Sequence, residues 1–484
     1  MNKINFLTKR IDLTIVFVSM ITMLIVLSLP FKAKPFGDIT FHEESKNLAL
    51  FIKGKVSFNK VAITAAPGPI IFYTPAYLLA PSDATDNQLW VYGVIFTSII
   101  IIISLLLIFR IGTSFFSKEI GLLSILLFFI FPIHCYYSLG ILAEAPAFFS
   151  LTLALYGWTI AYNQPRKKLG WVIMTLGILF LILNRPNAML LLGLGFVVIL
   201  YSFFRNKSFF SIYGKKMGIT FLSVGVLGFC ILQLTKNITG NKSATNQDTL
   251  LYYVMHEGRF QFREEPFDFR YWSTSTRPDS KDFNDWKKSI QHLSVDMKTT
   301  NRSYSEVYKE FLVDDAVRHP FWFTRQFLIK CGYGHLYFIN SIQPENFSMG
   351  PFKGAFGYWM FMFIINCVNL IILAGALIFV FKEKELIRYW IFWGIVLSLL
   401  IFHGLTYMEP RYIFPSRVVG INGDVAIITV LFRSPSSDVC SFFIGRYGYP
   451  ISVSCPFLKT LMWLELSNVY VFKLNWTFSK RVFS

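Results

Sequence analysis

Residues 89–110 read LWVYGVIFTSIIIIISLLLIFR, and Arg110 at the end is the only charged side chain among them. The stretch is close to the roughly 20 apolar residues that cross a bilayer as a helix. Comparable stretches recur along the chain and predict about ten transmembrane helices. They are Asp12–Pro30, Leu89–Arg110, Ile120–Ile133, Ala145–Tyr162, Trp171–Leu183, Ala188–Phe204, Met217–Leu234, Ala355–Phe381, Arg388–Met408 and Val418–Leu431.

The overall composition agrees with a membrane protein. Hydrophobic residues make up 54% of the 484-residue chain and charged residues 15%, which lies outside the usual range of soluble globular proteins. The six cysteines are scattered without a C-x-x-C pair, so neither a disulfide framework nor a zinc site is predicted. We therefore predict an all-α polytopic membrane protein.

Positive charge is distributed unevenly along the chain. The formal net charge of +18 would suggest nucleic acid in a soluble protein, but the basic residues concentrate in every second short connection. Because cytosolic connections carry this excess, we expect a cytosolic N-terminus, no nucleic acid partner and, most simply, the inner membrane of a bacterium. The residues are Lys3, Lys9, Arg10, Arg110, Lys118, Arg166, Lys167, Lys168, Arg205, Lys207, Lys215, Lys216, Lys382, Lys384 and Arg388.

This topology divides the chain into a transmembrane domain, residues 1–433, and an atypical tail, 434–484, which is predicted to be cytosolic. Two long polar segments of the domain, 31–88 and 235–354, become extracytoplasmic loops. The first ends in an apolar run, Ile70–Ala80, that is too short to span a bilayer. It should lie in the interface or fold back into the protein.

The second loop contains a predicted surface helix in residues 304–338. Its apolar residues recur at helical spacing, and a proline after His319 should break the helix there. The periodic residues are Tyr308, Phe311, Leu312 and Val317.

The stretch Trp171–Phe204 must turn back on itself. As one helix it would run about 50 Å, against a hydrocarbon core of about 30 Å. Asn184-Arg185-Pro186-Asn187 is the only polar interruption, and Pro186 disfavours a continuous helix at the residue before it. Arg185 is therefore predicted at the extracytoplasmic tip of a helical hairpin.

Each ionisable residue at membrane depth costs about 2.5–3.5 kcal/mol in free energy of insertion, so its presence calls for a structural or functional explanation. The predicted topology gathers several of them at the extracytoplasmic face. They are Asp38 after the first span, Glu144 at the start of the fourth, Arg185 at the hairpin tip, and Glu409 with Arg411 and Tyr412 after the ninth.

The chemistry of these residues suggests work on a phosphate-linked substrate. A carboxylate within hydrogen-bond reach of an acceptor hydroxyl or amine can serve as a general base, and Asp38 is the first choice. A phosphate leaving group needs fixed positive charge, which the planar guanidinium of Arg185 or Arg411 supplies better than a lysine. Glu144 is suited to orient one of these arginines or to bind a sugar hydroxyl.

The same residues also have structural explanations. Asp38 would then be a solvated loop acid, and the arginines would extend to phospholipid headgroups. His42-Glu43 resembles the start of the zinc motif H-E-x-x-H, but Lys46 occupies the place of the second histidine, and no metal or cofactor is predicted. The sequence contains neither G-x-G-x-x-G nor G-x-x-x-x-G-K-[ST], so it gives no support for nucleotide binding.

Several short motifs follow one another in a recognisable order. They are Gly37-Asp38, Ala66-Pro67-Gly68-Pro69, Leu142-Ala143-Glu144, Asn184-Arg185-Pro186, His319-Pro320 and Glu409-Pro410-Arg411-Tyr412. In this order the chain resembles the membrane-embedded GT-C glycosyltransferases. The particular branch that it resembles is that of the protein O-mannosyltransferases and lipid A aminoarabinose transferases.

The resemblance implies an inverting transfer of a sugar from a polyprenyl-phosphate donor to an extracytoplasmic lipid, glycan or protein acceptor, with membrane lipids around the site. It implies that Asp38 is the catalytic base and that Arg185 and Arg411 bind the donor phosphate. The remaining substrate-binding candidates are Glu144, Glu409 and Tyr412.

The second acid of the family is not assigned by the sequence. Many members follow the aspartate directly with another acid, whereas Ile39 occupies that position here. The nearest acids are Glu43 and Glu44.

A function of another class is a non-enzymatic transporter or flippase of lipid-linked saccharides. Such a protein would also place acids and arginines along a path. It should carry polar residues near the bilayer midplane and internal repeats, and neither is evident in this sequence.

Overall fold

The computed structural model describes residue 14 and residues 38–61, 63, 66–81, 83–130, 140–239, 244–264, 274, 277–334, 344–349, 351–382 and 386–405. Helices dominate this part of the chain, as the composition predicts. The helices are α1 Ile39–Ile52, α2 Pro67–Leu79, α3 Asp86–Phe115, α4 Lys118–Ile130, α5 Glu144–Asn163, α6 Lys168–Asn184, α7 Leu190–Arg205, α8 Lys215–Thr239, α9 Ala244–Phe260, α10 Lys281–Thr300, α11 Tyr304–Arg318, α12 Pro320–Gly334, α13 Gly354–Lys382 and α14 Trp390–Leu405.

One short antiparallel pair of strands accompanies the helices. Strands β1, Ser348–Met349, and β2, Phe352–Lys353, pair with Ser348 opposite Lys353. The described part of the chain is otherwise helical, with a few short turns of 3-10 or π geometry. The predicted all-α class therefore holds for these residues.

Two of the described helices are long and apolar enough to cross a membrane, Asp86–Phe115 and Lys207–Thr235. Shorter apolar helices cover Lys168–Asn184, Leu190–Arg205, Gly354–Leu370 and Ile387–Phe402. Eight of the ten predicted spans overlap described helices, but only two of these helices are both long and apolar enough to cross a membrane, so ten crossings are not established. The predicted spans Asp12–Pro30 and Val418–Leu431 lie outside the described residues, as does the predicted tail 434–484.

Helices α5 and α6 form an antiparallel hairpin with almost no side-chain layer between them. A Cβ atom on Gly157 would lie 2.3 Å from the backbone nitrogen of Met174, and one on Gly177 would lie 2.3 Å from that of Ala154. Such distances force the backbones apart, so only glycine fits at these two positions. Small residues allow the same close approach between helices in membrane proteins generally.

The hairpin geometry places the first residue of α5, Glu144, at the same end as the last residue of α6, Asn184. Helix α7 follows after the short 3-10 turn Pro186–Met189. The predicted turn at Asn184-Arg185-Pro186-Asn187 is therefore confirmed. We call this end of the hairpin the site end.

The opposite end is aromatic and basic. The guanidinium carbon of Arg388 lies 4.9 Å from the ring centre of Tyr162 and 5.4 Å from that of Phe115. The indole nitrogen of Trp158 donates to the carbonyl of Arg388 at 3.0 Å. The ends of α3 and α5 thus meet the start of α14, as expected if their basic connections lie on one side.

Helix α2 contains the apolar run that is too short to span. Its residues Ile70, Tyr73 and Tyr77 are buried, and the helix packs beside α1. The run therefore folds back into the protein, which was one of the two predicted placements.

The predicted helix in the second polar segment is also seen, with its break. Helix α11 ends at His319, and Pro320 is the first residue of α12. Tyr308 and Leu312 are buried, but Val317 is 73% exposed, so the prediction that Val317 joins the same apolar face is wrong. Val317 follows Tyr308 by nine residues, which places it on the opposite side of the helix, whereas Asp315 of the same last turn pairs with Arg259 of α9.

His256 of α9 lies in an aromatic cage formed with α11. Its Nε2 shares a hydrogen bond of 2.9 Å with Ser289 Oγ, and the rings of Tyr308 and Phe311 lie edge-on at 4.8 and 5.1 Å. Burial lowers the pKa of His256 from 6.5 to about 3. A neutral ring suits this cage, whereas a charged ring would lose its hydration.

We expect the protein to lose stability as the pH falls from about 6.5 towards 3. In that window the unfolded chain protonates His256 and the folded chain does not, so the free energy of unfolding decreases by up to about 1.4 kcal/mol per pH unit. Above pH 6.5 this contribution is fully present. Thermal unfolding of the detergent-solubilised protein at stepped pH measures it.

The matched variants are His256→Gln and His292→Gln, because His292 is an exposed histidine of the neighbouring α10. The His256→Gln protein should have the shallower pH slope, and the His292→Gln protein should keep the slope of the parent. Equal slopes for the parent and the His256→Gln protein would contradict the assignment.

Candidate active site

Glu144 and Arg185 form an ion pair at the site end of the α5–α6 hairpin. Glu144 begins α5, and Arg185 directly follows α6. Arg185 Nη2 donates to Glu144 Oε1 at 2.8 Å, and the two side chains are 19% and 4% exposed. In a pair this sheltered from water, removal of one partner leaves the other charge without compensation.

Asp38 is joined to this end through its backbone. Its N–H donates to the carbonyl of Ile141 at 2.9 Å, three residues before Glu144. Its side chain caps helix α1, where Oδ1 accepts a hydrogen bond of 2.8 Å from the N–H of Thr40. The cap uses one of the two carboxylate oxygens, and Asp38 remains partly exposed.

Tyr73 of α2 holds the segment between Asp38 and Glu144. Its hydroxyl donates to the carbonyl of Leu142 at 2.8 Å and accepts from the N–H of the same residue at 3.1 Å. The ring is fully buried. Sequence analysis missed this residue because nothing distinguishes Tyr73 from the aromatic residues around it.

The Ala66-Pro67-Gly68-Pro69 motif meets the site end of the α5–α6 hairpin. A Cβ atom on Gly68 would lie 2.5 Å from the backbone nitrogen of Asn184, so the glycine permits direct contact between α2 and the end of α6. Asn184 is itself fixed, because its Nδ2 donates to Ser150 Oγ at 3.1 Å and to the carbonyl of Phe180 at 2.7 Å. Two motifs that are far apart in sequence thus position Arg185 together.

The two candidates for the second acid face different surroundings. Glu43 is half-exposed, and its Oε2 lies 3.6 Å from Lys46 Nζ, which is 2.6 Å from Asp86 Oδ1. Glu44 is buried. The role of either residue as a second acid stays a prediction.

One group of described side chains has the spacing of a metal site. A ring nitrogen of His42 and carboxylate oxygens of Glu43 and Asp86 all lie within 4.8 Å of one another. Imidazole and carboxylate ligands of this kind bind divalent cations in proteins. This group was not predicted from the sequence, because Asp86 is separated from His42 by more than 40 residues.

The remaining predicted site residues, Glu409, Arg411 and Tyr412, lie outside the described residues. Their substrate-binding roles stay predictions.

A second polar cluster joins α9 to α11 and α12. Buried Arg259 pairs with Asp315 and donates to Gln326 Oε1 at 3.0 Å, and its guanidinium lies 4.4 Å from the ring centre of Trp322. Nearby Lys330 donates to the carbonyl of Gly258 at 3.1 Å, and burial lowers its pKa to about 7. These groups bond mainly to one another and to the backbone, which indicates a structural role.

No protein-family model matches this sequence, and no curated protein matches it either. Solved structures do show similarity. One is the archaeal oligosaccharyltransferase AglB from Archaeoglobus fulgidus in complex with an inhibitory peptide and a dolichol-phosphate, with a TM-score of 0.48 and 12% identity. Another is the Archaeoglobus fulgidus oligosaccharyltransferase tethered with an acceptor peptide containing the NVT sequon via a disulfide bond, with a TM-score of 0.51 and 12% identity.

Each alignment covers 96% of this chain and 55% of the solved one, so the chain spans about half the length of these oligosaccharyltransferases. The likeness to the second structure concerns the fold. The described helices therefore share the fold of about half of that oligosaccharyltransferase. Membership of the GT-C superfamily, and the branch within it, stay predictions.

Proposed function

We propose that this chain is an integral-membrane, inverting glycosyltransferase. It would move a sugar from a polyprenyl-phosphate-linked donor to an acceptor at the site end of the helices. The likeness of the fold to a solved oligosaccharyltransferase supports the class of enzyme. The donor and the inversion come from the resemblance of the sequence motifs to the aminoarabinose and mannose transferases.

The observation that supports the proposal is the backbone link between Asp38 and the segment that leads into the Glu144–Arg185 pair. The backbone of Asp38 is bonded to Ile141, three residues from the Glu144–Arg185 pair. A carboxylate and a guanidinium are the groups that the reaction needs, the first to take a proton and the second to receive a phosphate.

In the proposed reaction Asp38 takes the proton from the acceptor hydroxyl or amine. The acceptor atom then attacks the anomeric carbon from the face opposite to the phosphate. A new glycosidic bond forms as the bond between the sugar and the phosphate oxygen breaks, and polyprenyl phosphate leaves with both electrons of that bond. One base and one displacement account for inversion without an enzyme nucleophile.

Arg185 would stabilise the charge on the departing phosphate. A guanidinium carries five N–H donors in a fixed fork, so a bond to one oxygen of Glu144 is compatible with a further bond to phosphate. Glu144 would then act as a positioning residue that fixes the direction of the fork. Arg411 is the second candidate for the phosphate.

Peptides are one of the acceptor classes that merit a test, because a solved oligosaccharyltransferase with this fold holds an acceptor peptide. Lipid and glycan acceptors are the others. Nothing in the described residues selects among the three classes.

The direct test uses the full chain in lipid nanodiscs with a panel of polyprenyl phosphates that carry labelled hexoses or pentoses. Peptide, glycan and lipid fractions are supplied separately as acceptors. We expect release of polyprenyl phosphate together with a labelled product of inverted anomeric configuration. In parallel proteoliposomes, movement of the labelled lipid between leaflets without any covalent product would identify a flippase and overturn the proposal.

A further inference from the structure

A compact group of unlike charges joins α1 to the start of α3. His42, Glu43 and Lys46 belong to α1, and Asp86 is the first residue of α3. The His42 nitrogen and the two carboxylates lie within 4.8 Å of one another. Three ligand atoms at this spacing can converge on one cation.

His42 supplies an observation that is independent of the acids. The residue is 1% exposed, and its Nδ1 shares a hydrogen bond of 2.9 Å with the hydroxyl of Tyr77. The other ring nitrogen, Nε2, is buried without a hydrogen-bond partner among the described residues. The ring is also fixed in direction, because it stacks on Trp90 at 4.4 Å with the planes 15° apart.

A buried ring nitrogen without a partner usually carries a cost in stability. Metal ligation removes this cost, and the arrangement is typical of metal-binding histidines, in which one ring nitrogen bonds to a fixed oxygen while the other binds the metal. Tyr77 has the position of that outer partner.

Lys46 shows that the place between the acids attracts positive charge. Its ammonium is 2.6 Å from Asp86 Oδ1 and 3.6 Å from Glu43 Oε2. This ammonium makes no hydrogen bond to Nε2 of His42, which has no partner among the described residues. A metal ion would bind the carboxylates and the imidazole at once.

We propose that His42, Glu43 and Asp86 form a binding site for a divalent transition-metal cation such as Zn²⁺. The bound cation displaces the ammonium of Lys46 from the two carboxylates. One nitrogen with two carboxylate oxygens suits Zn²⁺, whereas Mg²⁺ prefers an all-oxygen octahedral site. The bound cation would cross-link α1 to α3.

The site lies one helical turn from the candidate base. The backbone N–H of His42 donates to the carbonyl of Asp38 at 3.2 Å. A cation that anchors His42 to α3 therefore also limits the movement of Asp38. The proposal goes beyond glycosyl transfer and does not depend on it, since binding of the metal is measured without a donor or an acceptor.

The test is equilibrium dialysis of Zn²⁺ against the purified full chain in detergent, with thermal unfolding as a second readout. We expect one Zn²⁺ per chain with a raised unfolding midpoint, and much weaker binding of Mg²⁺. His42→Gln should weaken Zn²⁺ binding by more than about tenfold. Loss of an outer partner of a metal ligand already costs about 10–100-fold in affinity, and loss of the ligand itself should cost at least as much. Asp86→Asn, on an exposed side chain that leaves the fold undisturbed, should weaken it as well.

Lys46→Met gives the sharpest result. It removes the competing ammonium, so Zn²⁺ should bind more tightly than in the parent protein. The matched control is His292→Gln, an exposed histidine of α10, which should leave the binding unchanged. Binding that is unaffected by His42→Gln and Asp86→Asn, or weakened by Lys46→Met, would overturn the site.

Discussion

Replacement of Asp38 by asparagine should abolish sugar transfer and leave the protein folded. Asparagine caps a helix as well as aspartate does, so the bond from the N–H of Thr40 and the start of α1 should survive. The variant lacks only the group that accepts the proton. Loss of a general base costs about 10²–10⁴ in rate. Release of polyprenyl phosphate from a labelled donor measures the effect.

Two further variants separate catalysis from folding. Asp38→Ser also keeps a capping oxygen without a carboxylate, so it should be as inactive as Asp38→Asn. Asp83→Asn removes an exposed acid from the same segment and should transfer sugar at the parent rate. An asparagine variant with full turnover would rule out Asp38 as the base. A lowered unfolding midpoint would instead assign the loss of activity to the fold.

Disruption of the Glu144–Arg185 pair should affect stability and activity separately. Glu144→Gln removes the carboxylate that bonds to the sheltered guanidinium, and breaking a buried pair in this way costs about 3–5 kcal/mol, with the 19% exposure of Arg185 favouring the lower value. Arg185→Lys keeps the charge but loses the fork that fits a phosphate, so the apparent KM for the donor should rise.

The double variant Glu144→Gln/Arg185→Leu distinguishes the two roles. Replacement of both charges leaves no orphan ion, so the double variant should regain much of the stability that Glu144→Gln loses. It should not regain transfer, because the phosphate has lost its guanidinium. Recovery of transfer together with stability would show that Arg185 has no part in donor binding.

The parts of the fold that sequence predicts best are those with a local physical cause. The turn at Asn184-Arg185-Pro186-Asn187 follows from length and from the proline, and the break at His319-Pro320 follows from the same restriction on the backbone. Apolar stretches likewise coincide with helices. The number of membrane-spanning helices was predicted less well, because only two of the described helices are long and apolar enough to cross a membrane.

Contacts between residues that are far apart in the chain could not be predicted directly from the sequence. Arg185 and Glu144 are 41 residues apart, and their shared face was predicted only through the topology of the spans. Arg259 and Asp315 are 56 residues apart and carry no motif. The His42 group was missed for a further reason: a search along one helix finds Lys46 where a ligand is expected, whereas the third ligand arrives from α3.

The glycine contacts of the α5–α6 hairpin have a consequence for substrate entry. Where backbone touches backbone, there are no side chains that can change rotamer and let the two helices slide or separate. The α5–α6 hairpin, at whose end Glu144 and Arg185 lie, is thus rigid. Under the proposed function, the opening that admits the polyprenyl chain must be made by the elements that face this hairpin, and amide hydrogen exchange should be slowest in the hairpin itself.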